Sequence, residues 1–515
     1  MSATVTETAP AGTAPTTRDD RRPRAAAVLA LARFEAREMF HQIPVFAMLV
    51  LYLAYTCWQL WSGREPMDDF PALQDADRAT QDRPVLLAVA VLVCANRAVL
   101  RSRRRGTDQS FAVLLMEPWR RTAAHALSVV PVAVVTALVV ALDFTCTALK
   151  PGAVGHGSPA ELAVGPLTVL LAGVLGVLLA RLVPSVFAAP LFVVGGLVLA
   201  TLLSAALSDA RWLRWLWPVV TDSGTEPLPS DLLGRPAAWH ALYLAGVAAA
   251  LACAAVLAAG GRTRLVAAVT VAALAATGAG VAGQSSGEPA GLIAAREKAS
   301  VSPEKVQSCR THGRDAYCAY PEWTGRTAEW AEVVKRVRSL TGGGAAGTRL
   351  TVRQRLDARY GLDADTTLEP SRTPGRVTVG TRWGGTRVPE FAVAVASVLV
   401  AGDENAMSGD TCDARVVTVM WLALGAESDP MAAFRRVRLD DRTSGSGIAL
   451  TPTNPLGMTA QQADVIRELL EKPRYGVTAK VKAHWAELVS PKTTTARAAE
   501  LLDVPVPEGA DACRA

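Results

Sequence analysis

Between Arg22 and Gly283 the chain carries a succession of long, nearly uncharged apolar stretches, and beyond Gly283 they stop. A helix needs about 20 apolar residues to cross roughly 30 Å of hydrocarbon. Inside a bilayer each backbone N–H and C=O must find its partner within the protein, which makes such runs helical. Seven stretches qualify, at 43–62, 84–100, 124–147, 162–183, 187–208, 238–260 and 264–283. The second is short and ends in Asn96 and Arg97, and the seventh is rich in Ala and Gly. The expected fold is an all-α polytopic membrane bundle of six or seven transmembrane helices, followed by a mixed, helix-rich α/β soluble domain. The mean hydropathy of +0.23 and the 50% share of apolar residues among 515 fit that division. Residues 1–23 read as a disordered cytoplasmic tail, 24–283 as the transmembrane domain and 284–515 as the soluble domain. The Ala/Thr/Pro-rich first twenty residues hold no apolar core, so the first span itself is expected to direct insertion.

Lys and Arg in short loops set the orientation. The N-terminal segment holds Arg18, Arg21, Arg22, Arg24, Arg33 and Arg37. The loop after the second span holds Arg101, Arg103, Arg104, Arg105, Arg120 and Arg121, and the link before the seventh holds Arg262 and Arg264. The loop after the first span is acidic, with Glu65, Asp68, Asp69, Asp75, Asp77 and Asp82. The segment 209–237 carries Asp209, Asp222, Glu226 and Asp231 against three arginines. Basic and acidic loops alternate, which puts the N-terminus in the cytoplasm and, with seven spans, the C-terminal domain outside a bacterial plasma membrane. The formal charge of +6 is then a matter of topology, and no nucleic-acid partner is implied.

Cysteine placement agrees. Cys57, Cys94, Cys146 and Cys253 fall within spans, where free thiols behave as small apolar groups. Cys309, Cys318, Cys412 and Cys513 lie in the soluble half, where three connectivities of two disulfides are open. Cys309 with Cys318 and Cys412 with Cys513 is the expected pairing. The spacing has no CxxC element, which argues against zinc.

The loop RSRRRGTDQSFAVLLMEPWRRTAAHAL (101–127) has internal structure. Gly106 breaks the preceding helix, Thr107 can cap a new short one, and Pro118 ends it. Phe111, Leu114 and Leu115 would form a small apolar face between two arginine clusters, and such a face needs a partner to bury it.

In these features the chain resembles the permease subunits of ABC-2-type transporters. That family's intracellular coupling element is a basic stretch, Gly-Thr, a short helix, a proline and an arginine. Arg103, Arg104, Arg105, Gly106, Thr107, Pro118, Arg120 and Arg121 follow this pattern. The resemblance implies that the short helix docks into a separate ATP-binding subunit, and that two permease subunits, alike or similar, enclose the path. A pre-span helix fits AAAVLALARFEAREMF (25–40), and RWLRWLWP (211–218) resembles the re-entrant or interfacial helices of such permeases. The likeness covers roughly residues 24–260. The seventh span and the large C-terminal domain depart from the family's six-span core.

No GxxxxGK[ST] occurs, so ATP hydrolysis requires a partner, and no cofactor is implied. The glycine run TGGGAAGTRL (341–350) reads as a loop. Asp143 and Arg181 sit near span ends, from which both can reach water. In the soluble half, 326–340, 391–401, 414–424 and 478–489 read as helices and 376–383 as a strand. Thr459 with Gln462 forms a capping box for a helix that Pro473 ends. There is no HExxH or GxSxG. His484 and Glu487 share a helical face but lack a second histidine, and His312 lies in the expected disulfide loop. The reading is a permease subunit that exports or translocates a substrate with a partner's ATP. A membrane-anchored receptor, or an enzyme acting through its outer domain, is the alternative.

Overall fold

The computed structural model describes residues 21–62, 71–106, 116–206, 215–220, 226–361, 368–385, 387–437, 447–453 and 455–512. Among them, five apolar helical stretches are long enough to cross a membrane: Ile43–Trp61, Pro118–Ala148, Pro159–Leu182, Ala237–Ala258 and Arg264–Val301. The second and fifth expected spans also form apolar helices, but with shorter runs, Val85–Val99 and Ala188–Leu202.

In chain order, α1 (Arg21–His41) leads into α2 (Ile43–Ser62), and α3 (Leu73–Ala79) precedes α4 (Val85–Val99). The single turn α5 (Arg101–Arg104) ends at Gly106, whose φ of 66° suits a residue without Cβ. The expected third span is two helices, α6 (Pro118–Leu127) and α7 (Val130–Ala148). Pro131 has no N–H to give the Leu127 carbonyl, so the ladder is interrupted between them. Next come α8 (Pro159–Leu182), α9 (Ala188–Ala206), α10 (Ala237–Ala258) and α11 (Arg264–Ser285).

The bundle's buried core includes Val91, Cys94, Val132, Val169, Val177 and Ala255. Lipid is as apolar as these side chains, so close van der Waals packing and interhelical hydrogen bonds hold such helices together. Gly176 of α8 shows how close α4 comes: a Cβ there would run into the Leu92 carbonyl oxygen. At the same contact the Asn96 amide donates to the Gly176 carbonyl at 3.3 Å.

After α12 (Ala290–Val301) the chain folds differently. Strands β1 (Ser308–His312) and β2 (Asp315–Ala319) make an antiparallel hairpin, and Cys309 faces Cys318 across it as a disulfide. From β2 the chain crosses through α13 (Thr327–Ser339) to β3 (Thr351–Gln354), parallel to β2, and then to β4 (Arg376–Val379), parallel to β3. Trp330, Val333, Val334 and Val337 form the buried stripe of α13, as its 3.6-residue period requires. The helix α14 (Arg387–Ala401) is buried from Phe391 to Val400 and packs on α15 (Ala414–Leu424). A second small sheet runs β5 (Gly409–Asp410), β7 (Leu456–Met458), β6 (Gly447–Ala449).

Helix α16 (Pro430–Val437) precedes β6, and α17 (Ala460–Glu471) follows β7. The α17 capping box forms as expected: Thr459 Oγ1 accepts from the Gln462 amide at 3.1 Å, and Gln462 Oε1 accepts from the Thr459 amide at 3.0 Å. The segment 478–489 is not one helix. It divides at His484 into α18 (Arg474–Ala483) and α19 (Trp485–Leu488), and α20 (Thr495–Leu502) closes the domain. Trp485 and Leu488 are buried, as are Val477 and Val481 ahead of the break.

The domain does not stand apart from the bundle. Ala72, Val154, Leu228 and Leu232, from three loops between bundle helices, belong to the same hydrophobic core as Tyr317, Trp323 and Trp330. Those loops all leave the bundle at the domain's end. At the arginine-rich end the 260–263 turn lies against the Trp119 side chain.

Candidate functional sites at the two ends of the bundle

At the arginine-rich end, three segments meet on one carboxylate. Glu35 of α1 is 8% exposed and lies 3.4 Å from an Arg101 guanidinium nitrogen of α5. The His125 ring of α6 lies 3.9 Å from the same carboxylate oxygen. Burial pushes the Glu35 carboxyl up, the Arg101 charge opposes this, and Glu38 adds to the rise. The pre-span helix therefore packs against both flanks of the 106–116 segment, with a charge pair on the Arg101 side. Arg103, Arg104, Arg105 and Gly106 are exposed.

Pro118 is the first residue of α6, where its missing N–H costs no hydrogen bond. Arg120 pairs with Glu117 at 3.0 Å and stacks over Trp119, 5.0 Å from the ring centre. Arg121 is half-buried and Thr122 is wholly buried. Thr107, Phe111, Leu114 and Leu115 lie outside the described residues. The sequence pointed to the arginines here but not to Glu35 or His125. The helix carries two acids, Glu35 and Glu38, and only the fold singles out Glu35 by burying it.

At the domain end, a polar network joins the bundle loops to the C-terminal domain. Buried Gln74 of α3 donates to the Leu228 carbonyl at 2.8 Å and to Glu322 Oε2 at 3.4 Å. Glu322 Oε1 accepts from the Ser230 amide at 3.0 Å. Arg296 of α12 donates to the Leu232 and Leu233 carbonyls, both at 2.7 Å, and pairs with Glu288 at 2.8 Å. Arg387 of α14 reaches Glu226 at 3.4 Å.

Beneath this network lies Asp77, 3% exposed, with Oδ2 accepting from the Ser158 amide at 2.7 Å. Its Oδ1 is buried and has no hydrogen-bond partner among the described residues. Burial raises the Asp77 carboxyl from 3.8 to about 7; the Ser158 bond opposes this and the neighbouring Glu161 adds to it. Glu161 is itself paired with Arg235 at 3.1 Å and accepts from Gln81. Arg235 also lies over Trp215, 5.6 Å from its ring centre. The described part of the tryptophan-rich segment is held by three side chains from α10 and α11. Gln284 donates to the Trp215 carbonyl at 2.8 Å, Tyr243 donates to the Leu216 carbonyl at 3.1 Å, and a His240 ring nitrogen lies 3.4 Å from the Pro218 carbonyl. Trp217 belongs to the same described stretch, and Trp212 lies outside it.

Asp143 departs from its expected role. It does not reach water from its span end but is 5% exposed and forms an ion pair with Arg83, just ahead of α4. The loop folds back over the helix ends and encloses the carboxylate, which linear distance from a span end cannot reveal. Arg181 is half-buried in the last turn of α8. A cleft of about 530 Å³ opens beside the Arg83–Asp143 pair, between α2 and α4.

In the C-terminal domain Cys309 and Cys318 are bridged, and Cys412 is disulfide-bonded too. Cys513, its expected partner, lies outside the described residues. Cys57, Cys94, Cys146 and Cys253 are free thiols. His312 sits 3.2 Å from the Thr327 hydroxyl and edge-on to Tyr317. Glu487 pairs with Arg497 at 2.8 Å, and His484 is the residue at the helix break. Among the described residues no three His, Cys, Asp or Glu side chains gather in a set able to hold a metal ion. No family model matches this chain, and no curated protein or solved structure does either.

Proposed function

We propose that the chain is the membrane-spanning permease subunit of an ATP-driven, ABC-2-like transporter, whose energy comes from a separate ATP-binding subunit. The observation that carries this reading is the Glu35 junction. It ties α1, Arg101 and His125 together, so that both flanks of the 101–121 element are held against the bundle. A push delivered to a segment fixed at both ends is transmitted to α4 and α6, where a free loop would absorb it. The exposed Arg103, Arg104 and Arg105 offer positive charge to an acidic docking surface.

In this reading all seven apolar helices cross a bacterial plasma membrane. The N-terminus is cytoplasmic, and residues from 284 onward form an extracytoplasmic cap. Two lines of support favour that orientation. The acidic loops share a core with the disulfide-bonded domain, and disulfides persist in oxidising compartments. The basic segments lie at the opposite end, as the positive-inside rule requires. Two copies, or one copy with a similar subunit, enclose a path along which substrate is exported or translocated.

The test is purification of the tagged, full-length protein from native membranes in mild detergent. The eluate is assayed for a stoichiometric ATP-binding subunit and vanadate-sensitive ATPase activity. Reversing charge at Arg103, Arg104 and Arg105 is expected to release that subunit while leaving the spans folded. Absence of any ATPase across several detergents would overturn the reading and move the search to the outer domain.

A further inference from the structure

The cleft beside Arg83 is sorted by polarity along the bundle. Its deeper walls are Met48 and Leu51 of α2 with Leu86 and Leu87 of α4. Toward the C-terminal domain, Tyr52, Tyr55, Gln59, Asp82 and Arg83 line it. From Met48 to Gln59 the helix rises about 16 Å at ~1.5 Å per residue. That is about half of a ~30 Å hydrocarbon core, the depth of one leaflet.

The polar end is not a uniform rim. Arg83 gives one guanidinium N–H to Asp143, and a guanidinium carries about five N–H donors, so others remain to face a ligand. Tyr52 is 5% exposed, and among the described residues its hydroxyl has no hydrogen-bond partner. Tyr55 accepts from Gln59 at 2.8 Å, which fixes both side chains at the mouth. Asp82 is exposed there and lines the cleft. The charged residues that line the cleft are one cation, Arg83, and one anion, Asp82, and the Asp82 carboxylate repels a headgroup of net negative charge. An anionic headgroup is therefore disfavoured, whereas a zwitterion with a phosphate and a free ammonium meets complementary groups.

We propose that this cleft binds a zwitterionic, amine-bearing phospholipid from the domain-side leaflet. Its phosphate sits at Arg83 and Tyr52, its ammonium at Asp82, and its acyl chain against Met48, Leu51 and Leu86. Exposed Trp58 and Trp61, on the same helix nearer its domain end, mark the depth at which headgroups lie. This inference deepens the proposed function and rests on its membrane placement of α2 and α4. It does not depend on the ATP-binding subunit.

The test uses the full-length protein in phosphatidylcholine nanodiscs. Each disc is doped with a phosphatidylethanolamine bearing a photoactivatable acyl chain, or with the phosphatidylglycerol counterpart. Crosslinked peptides are mapped by mass spectrometry. Labelling within 43–62 and 79–99 is expected to favour phosphatidylethanolamine by about tenfold, equivalent to ~1.4 kcal/mol. Leu51→Trp, at a side chain already half exposed to lipid, should fill the cleft and abolish the label. Asp82→Asn should remove the headgroup preference while labelling persists. Equal labelling by both lipids, unchanged in both variants, would be annular contact and would overturn the proposal. So would labelling confined to other helices. Because nucleotide and partner are absent from the assay, labelling can succeed while co-purification of an ATPase fails, and the reverse.

Discussion

Val393 in α14 and Val177 in α8 are both wholly buried, one in the C-terminal domain and the other in the bundle. Taking Val393 out of water is favourable at about 25 cal/mol per Å² of apolar surface. Val177 leaves lipid, not water, so it contributes packing and almost no transfer free energy. The two regions accordingly differ in what specifies them. The domain relies on large apolar residues such as Trp323, Trp330 and Trp421. The bundle relies on close approach at Gly176 and on polar pins: Asn96 with Gly176, Arg83 with Asp143, and Glu161 with Arg235. Where the regions meet, Gln74 and Arg296 bond carbonyls of the bundle loops, so the seam combines an apolar core with directional hydrogen bonds.

This contrast can be broken experimentally. Trp330→Ala should destabilise the C-terminal domain by about 4 kcal/mol, read by thermal unfolding or protease sensitivity, because it removes a large side chain and leaves a cavity. Val177→Ala should cost only about 1 kcal/mol by the same readouts, since its transfer term is missing. Equal losses would sink the distinction. Arg83→Leu should cost about 3 kcal/mol, since it strands a buried carboxylate, and adding Asp143→Leu should recover most of that. A double variant as unstable as the single one would show that packing, not charge, holds this corner.

Replacing both Cys309 and Cys318 with Ser should lower the domain's stability by roughly 2–3 kcal/mol through the freed loop, measured by denaturant titration without reductant. The bundle's helical signal should persist in that variant. The last effect concerns pH. The Asp77 carboxyl is raised from 3.8 to about 7 in the folded protein, so the unfolded chain releases its proton first. Stability should then fall as pH rises from about 4 to about 7, by at most ~1.4 kcal/mol per pH unit, and level off above. Asp77→Asn should flatten that slope; an unchanged slope would assign it to other groups.

Local features were legible where one segment carries its own reason. The stripe of Trp330, Val333, Val334 and Val337 announces α13, and Thr459 with Gln462 announces the start of α17. The apolar stretches were located to within a few residues, although two fell short in length and the third is divided at Pro131. The break at His484 was not legible, because Val477, Val481, Trp485 and Leu488 keep a continuous helical stripe across it. In the candidate sites, the arginines, Gly106 and Pro118 stand out in the chain itself. Their counterpart Glu35 does not, since one of two glutamates in a basic helix acquires meaning only when Arg101 and His125 are brought to it.

By itself the sequence determined which stretches are apolar enough to enter a bilayer and that they lie ahead of the disulfide-bonded domain. Those outcomes depend on transfer free energies summed over contiguous residues, and a sum over neighbours needs no tertiary information. It favoured Cys309 with Cys318 among three connectivities because they are close in sequence, and the structure bridges them across a hairpin. Only the tertiary structure decided that Asp143 is paired with Arg83, that Asp77 is sealed beneath the domain, and that loops from three parts of the bundle share the domain's core. A buried charge is tolerable only beside a partner. Which partner arrives is settled by the packing of distant segments, 60 residues apart for Arg83 and Asp143, a separation at which sequence pattern carries no signal.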